Sequence, residues 1–194
     1  MFHHVFSFIK NRLLEYVEGT GSAEEAVNFV DLNSDPPAFK SNVNILLINI
    51  AGENHVGLPD PYLRINEQGQ KVKVKPPLQL IVDVLFAVKP NGGQASSRDF
   101  NYLISLGYLS RVVEYFQANP IFPRTVFPDL PAGLDRLVVE FHPLNYSQQN
   151  EVWSALKTAY LPSVCFRLKM LTFQSEPAGP EKEVKEIKQQ IHGA

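Results

Sequence analysis

The chain has 194 residues, 44% of them hydrophobic and 20% charged, a balance that excludes wholesale disorder and fits one globular domain with a tail. Its 18 basic and 20 acidic side chains leave a net charge of −2, with no basic surplus for wrapping nucleic acid. A single cysteine, Cys165, excludes an intrachain disulfide and points to folding in a reducing compartment.

Phe2, Phe6, Ile9, Leu13 and Tyr16 recur at helical spacing, which predicts an amphipathic helix over Phe2–Val17. The segment does not read as a targeting signal, because no basic stretch precedes it and Lys10 and Arg12 interrupt it early. No window reaches the ~20 apolar residues of a membrane span, so no membrane insertion is expected. Two apolar runs, Ala26–Leu32 and Asn42–Ile50, read as strands separated by turn chemistry at Asn33–Pro37. In the second, Val43, Ile45 and Leu47 would face one way and Leu46, Ile48 and Ile50 the other. Such a strand belongs inside a sheet covered on both faces.

Tyr62–Ile65 and Lys71–Lys75, joined by a turn at 67–70, read as a projecting hairpin. Lys71, Lys73 and Lys75 alternate with Val72 and Val74, which puts three positive charges on one strand face. Two readings fit: an edge kept from aggregating by lysine, or, with Arg64, a docking surface for an acidic partner.

Pro76-Pro77 opens a strand over Leu78–Val88, with Leu80, Val82, Val84, Phe86 and Val88 on one face and Ile81, Asp83, Leu85 and Ala87 on the other. After a loop at Pro90–Ser97, a helix is expected over Arg98–Ala118. Its apolar residues, among them Leu103, Ile104, Val112, Val113 and Phe116, cover more than one stripe, so it must touch something besides its own sheet. Asn119-Pro120 ends it, and Phe122–Gly133, with Pro123, Pro128 and Pro131, is expected to be an extended crossing loop. A strand over Arg136–His142 follows. Ser147 is the expected N-cap of a helix running to Tyr160, with Val152, Trp153, Leu156 and Tyr160 on one stripe, and Pro162 stops it. The last strand spans Val164–Phe173. The expected whole is an α+β domain whose largely antiparallel sheet of about five strands packs with three helices. It occupies residues 1–174, ahead of a linker and charged tail at 175–194. In that tail Val184, Ile187 and Ile191 would line up on a helix, with Glu181 and Lys185 spaced to pair, but so short a segment is marginal alone in water, so it is either disordered or folds against a partner.

The residue types that carry chemistry do not converge. Asn91-Gly92-Gly93 lacks the strand-to-helix setting and lysine of a phosphate cradle. The histidines are scattered, and adjacent His3 and His4 would point apart on a helix, so no metal is expected. Cys165 on a strand reads as a small buried hydrophobe. Asp83 and Glu140 could be paired acids, but Arg136, Arg167 and Lys169 offer them cross-strand ion pairs. Neither a cofactor nor a catalytic centre is expected.

Four stretches carry more specific information: Lys75-Pro76-Pro77-Leu78 leading into Val84-Leu85-Phe86; Tyr108 to Phe122 with its F-Q-x-N-P-x-F ending at Phe116 to Phe122; Leu134-Asp135-Arg136-Leu137; and Val152-Trp153-Ser154-Ala155-Leu156 followed by Tyr160-Leu161-Pro162-Ser163-Val164. Together they resemble the tail-cap, or tail-terminator, proteins of phage-tail-like contractile injection systems, over roughly Phe2–Phe173. The motif positions Pro76, Pro77, Phe116, Pro120, Trp153, Tyr160, Pro162 and Ser163 are structural in that resemblance. It implies a non-enzymatic protein with a terminator-like fold, forming a six-fold ring on the inner tube and contractile sheath at the end distal to the baseplate. It also implies assembly in the cytoplasm and residence in a particle released outside the cell. Two rival readings are another adaptor or baseplate component of the particle, and a small hydrolase using Ser163 or Cys165.

Overall fold

The computed structural model describes residues 2–18, 26–40, 42–52, 63–65, 69, 71–73, 79–90 and 98–172. The first element is α1 (Phe2–Glu18), whose buried Val5, Phe8, Ile9, Leu13 and Val17 form one stripe at the expected spacing. Strands β1 (Val27–Phe29), β2 (Asn42–Gly52), β3 (Leu63–Ile65), β4 (Lys71–Lys73) and β5 (Gln79–Lys89) lead to α2 (Arg98–Ala118). Then come β6 (Ile121–Pro123), β7 (Leu134–Phe141), α3 (Tyr146–Ala155) and β8 (Ser163–Thr172). No helix among the described residues is long and apolar enough to cross a membrane.

The main sheet has six strands in the order β1-β2-β5-β8-β7-β6, and β3 with β4 forms a separate ribbon. Among the described residues the fold is α+β with three helices, but the strand count and sense differ from expectation in two places. β1 runs parallel to β2, while every other pairing in the main sheet is antiparallel. A parallel neighbour needs a crossover of about a dozen residues, and the segment that includes Val30 to Lys40 supplies it, where the sequence suggested a simple turn. The sixth strand is β6, in a stretch expected to be a loop. Its three residues pair with Arg136 to Val138, and an edge strand this short tolerates Pro123 at its end.

Both faces of the sheet are covered. On one, α1 and α2 bury Val43, Ile45, Val82, Val84, Phe86, Val88, Phe166, Leu168 and Met170. On the other, Leu46, Leu85, Ala87 and Cys165 lie under Phe39 and Trp153, the latter carried by α3. β5 therefore divides its side chains as predicted. β2 does so only as far as Leu47, where a bulge between Leu47 and Asn49 resets the register. Ile50 then pairs with Val82 and joins the α1/α2 face, not the face of Leu46. One inserted residue inverts the alternation, which no reading of period two can foresee.

The last helix is also shorter than expected. Asn145, not Ser147, is its N-cap: its side chain accepts from the Gln148 N–H at 3.0 Å, and Gln148 Oε1 accepts from the Asn145 N–H at 3.0 Å. This reciprocal box satisfies two of the otherwise unpaired donors at the helix start. α3 stops at Ala155 rather than Tyr160. The Pro162 carbonyl then accepts from the Val88 N–H at 2.9 Å, bringing the chain into the sheet one residue later.

Candidate functional site

Arg12 projects from α1 between the rings of Phe8 and Phe127, 5.4 Å from each centroid. Its guanidinium donates to Asp129 at 2.5 Å and to Glu15 at 2.9 Å, tying the helix to the loop after β6. Beside this clamp lies an open cleft of about 660 Å³ lined by His4, Ser7, Asn11 and Asp129. These residue types could make a hydrolytic triad, yet no hydrogen bond joins Ser7, His4 and Asp129 among the described residues. Asp129 is already bound by Arg12. The two residues proposed for a hydrolase are placed no better. Burial first, then Asp83, pushes the Cys165 thiol up to about 12, far from a thiolate at neutral pH. Ser163 opens β8 opposite Ala87. No cluster of three or more potential metal ligands occurs among the described residues.

Polar side chains do gather on the half of the sheet that α3 leaves open. Arg167 on β8 forks onto Asp83 on β5, Nε to Oδ1 at 2.8 Å and Nη2 to Oδ2 at 3.3 Å. Asn49 donates to the same carboxylate at 3.3 Å, and Arg167 Nη2 also reaches His142 Nε2 at 3.2 Å, where the ring nitrogen must accept. Burial opposes the charge on Asp83, but the hydrogen bonds from Arg167 and Asn49 outweigh it and hold the carboxyl below its ordinary range. Next to this network Lys169 pairs with Glu140 at 2.8 Å. The expected cross-strand pairing is thus present for Asp83 and Glu140 through Arg167 and Lys169, while Arg136 forms no salt bridge with either. Each carboxylate is thus engaged by a cation on β8, Asp83 through both oxygens and Glu140 through one.

Among the hairpin positions, Arg64 pairs with Val72 on the β3–β4 ribbon, Lys71 with Ile65 and Lys73 with Leu63. Lys75, Pro76, Pro77, Val184, Ile187 and Ile191 lie outside the described residues. Of the motif positions, Phe116 and Trp153 are buried; Phe116 packs 4.8 Å from Phe166, and Trp153 lies 5.6 Å from Phe39. Tyr160 meets Trp153 edge-on at 5.8 Å but is more than half exposed, so it covers the core rather than filling it.

Exposed apolar surface occurs in two places, of which the sequence indicates the first. Tyr102, Leu103 and Ile104 stand exposed on the first half of α2, consistent with a helix apolar on more than one stripe. At the far edge of the sheet, Phe141 and Ile121 are exposed beside an apolar groove of about 480 Å³. Alternation with the buried Val139 marks Phe141 as facing α2, but nothing in the strand pattern says that the helix stops short of it.

The sequence pattern of one family, the Pvc16 N-terminal domain, matches residues 4–186. The chain belongs to that family. Two solved structures share its fold. One is the sheath/tube terminator, in the extended state, of an extracellular contractile injection system, PVC. It aligns with all of this chain and 65% of its own, at 13% identity and a TM-score of 0.55. The other is the tube-terminating cap of the anti-feeding prophage, with 96% of this chain and 60% of its own covered, at 12% identity and a TM-score of 0.56. The chain therefore spans less than two thirds of either structure's length. No curated protein matches it.

Proposed function

We propose that this Pvc16-family chain is the structural cap of a contractile injection particle, without enzymatic activity. Six copies form a ring that closes the end distal to the baseplate and engages the last layer of inner tube and of sheath. The observation that carries this reading is the coincidence of family and fold: the matched family spans nearly the whole chain, and both structural neighbours terminate tubes. The cross-strand ion pairs and the high thiol pKa of Cys165 fit a scaffold better than an enzyme. The particle assembles in the cytoplasm and carries the cap when it is released. Residues 1–174 form the ring-building domain, and 175–194 are an attachment tail in which Val184, Ile187 and Ile191 bind a neighbouring subunit.

The hairpin residues Arg64, Lys71, Lys73 and Lys75 dock the ring on an acidic tube or sheath surface, an attraction that weakens with salt. Imaging particles made without the protein tests the central claim. Lost distal caps and scattered lengths are expected, and particles of uniform length with normal ends would refute it. Reversing the three lysines to glutamate tests the docking claim separately, since retained capping would exclude it.

A further inference from the structure

The outer edge of β7 is closed along only part of its length. The β6 pairing covers Arg136 to Val138, and the Val139 N–H donates to the Pro120 carbonyl at 2.8 Å. In an antiparallel ladder Pro120 would return a bond to the Val139 carbonyl, but proline has no N–H to give. The inward partners of β7 are set by His142, whose N–H donates to Cys165 O at 2.9 Å. Counting back by two, Glu140 and Val138 face β8, while Val139 and Phe141 turn their backbone groups outward. The Val139 carbonyl and the Phe141 N–H consequently have no partner among the described residues. They lie directly beside the apolar groove formed by Val113, Phe116, Pro120, Val139, Phe141 and Phe166. Phe141 itself is 58% exposed, although it packs 5.7 Å from Phe166.

We infer that this notch receives an extended arm of a different protein chain, which adds a short strand to β7 and lowers one bulky aliphatic or aromatic side chain into the groove. The electrostatic complement of an outward carbonyl and amide two residues apart is another extended backbone, which carries donor and acceptor at the same spacing. The groove beside them supplies side-chain selectivity. A folded edge from a second copy fits poorly. Only Val139, Glu140 and Phe141 of β7 extend past β6, and the end of α2 walls the notch on one side, so a strand bearing its own covering layers would collide there. A free arm would not.

The inference rests on the capping reading for the source of the arm. The test places the photocrosslinking residue p-benzoylphenylalanine at position 141 of the full chain and irradiates assembled particles. Mass spectrometry should find adducts with a terminal or looped-out segment of another particle protein. Hydrogen exchange at the Phe141 amide should slow about 100-fold on attachment. Phe141→Asp should lower the amount retained on particles about tenfold, with the thermal midpoint of the isolated protein unchanged. Protein bound to particles without an adduct, or with adducts only to a second copy of itself, overturns the inference alone. Protein absent from particles overturns the capping reading with it.

Discussion

Replacing Asp83 by asparagine probes the polar network at the centre of the sheet. The carboxylate accepts three bonds, two from Arg167 and one from Asn49, and its side chain is 8% exposed while that of Arg167 is 31% exposed. An amide keeps the shape but turns one acceptor into a donor that faces Arg167 or Asn49, so at least one bond becomes a clash of donors. Removing one partner of a fully buried pair costs about 3–5 kcal/mol. Arg167 keeps some water, which reduces the expected loss to about 2 kcal/mol. For a domain of this size that is about 4–8 °C in thermal midpoint. The pH dependence has a definite sign. The folded carboxyl titrates below its ordinary range, so its contribution is present above about pH 4 and is lost as pH falls through the lowered value. Urea unfolding of both proteins at pH 7, 5 and 3.5 should show a constant gap over the first two and a smaller one at the third. Equal stability at pH 7, or a gap that persists undiminished in acid, would refute the reasoning.

Trp153→Ala empties the core on the α3 face and should cost about 3–5 kcal/mol in chemical denaturation, leaving Phe39 and Cys165 accessible. Asn145→Ala removes the capping box and should cost about 1 kcal/mol, with Asn145→Asp close to wild type in the same assay. Cys165, buried and with its thiol pushed up to about 12, should resist alkylation at pH 8 until urea unfolds the domain, as mass spectrometry would record.

The parts legible in the sequence are those where one local rule decides. β5 shows two apolar faces because both are covered, and the Asp83–Arg167 and Glu140–Lys169 pairs follow from opposite charges at alternating positions on neighbouring strands. Rules failed where a single residue or a distant partner prevails. The bulge after Leu47 moved Ile50 to the other face, and β6 forms despite Pro123 because β7 offers it an edge. The N-cap fell two residues early because Gln148, three residues on, completes the box for Asn145 and not for Ser147. The β7 notch was illegible for a different reason. It depends on where α2 ends in space, and on a missing N–H at Pro120 that reads in the sequence only as a helix stop.

The strand order has a consequence for synthesis. β8, the last of the described strands, lies between β5 and β7 in the middle of the sheet. Until it emerges from the ribosome, β1-β2-β5 and β7-β6 are two fragments with bare inner edges, and neither face can close over a common core. A chain that stops before Ser163 therefore cannot make a slightly weakened domain; it makes none. Strands that wait unpaired are exposed to aggregation and to proteases. Placing β8 at the centre makes synthesis through Thr172 the condition for joining the two fragments into one sheet.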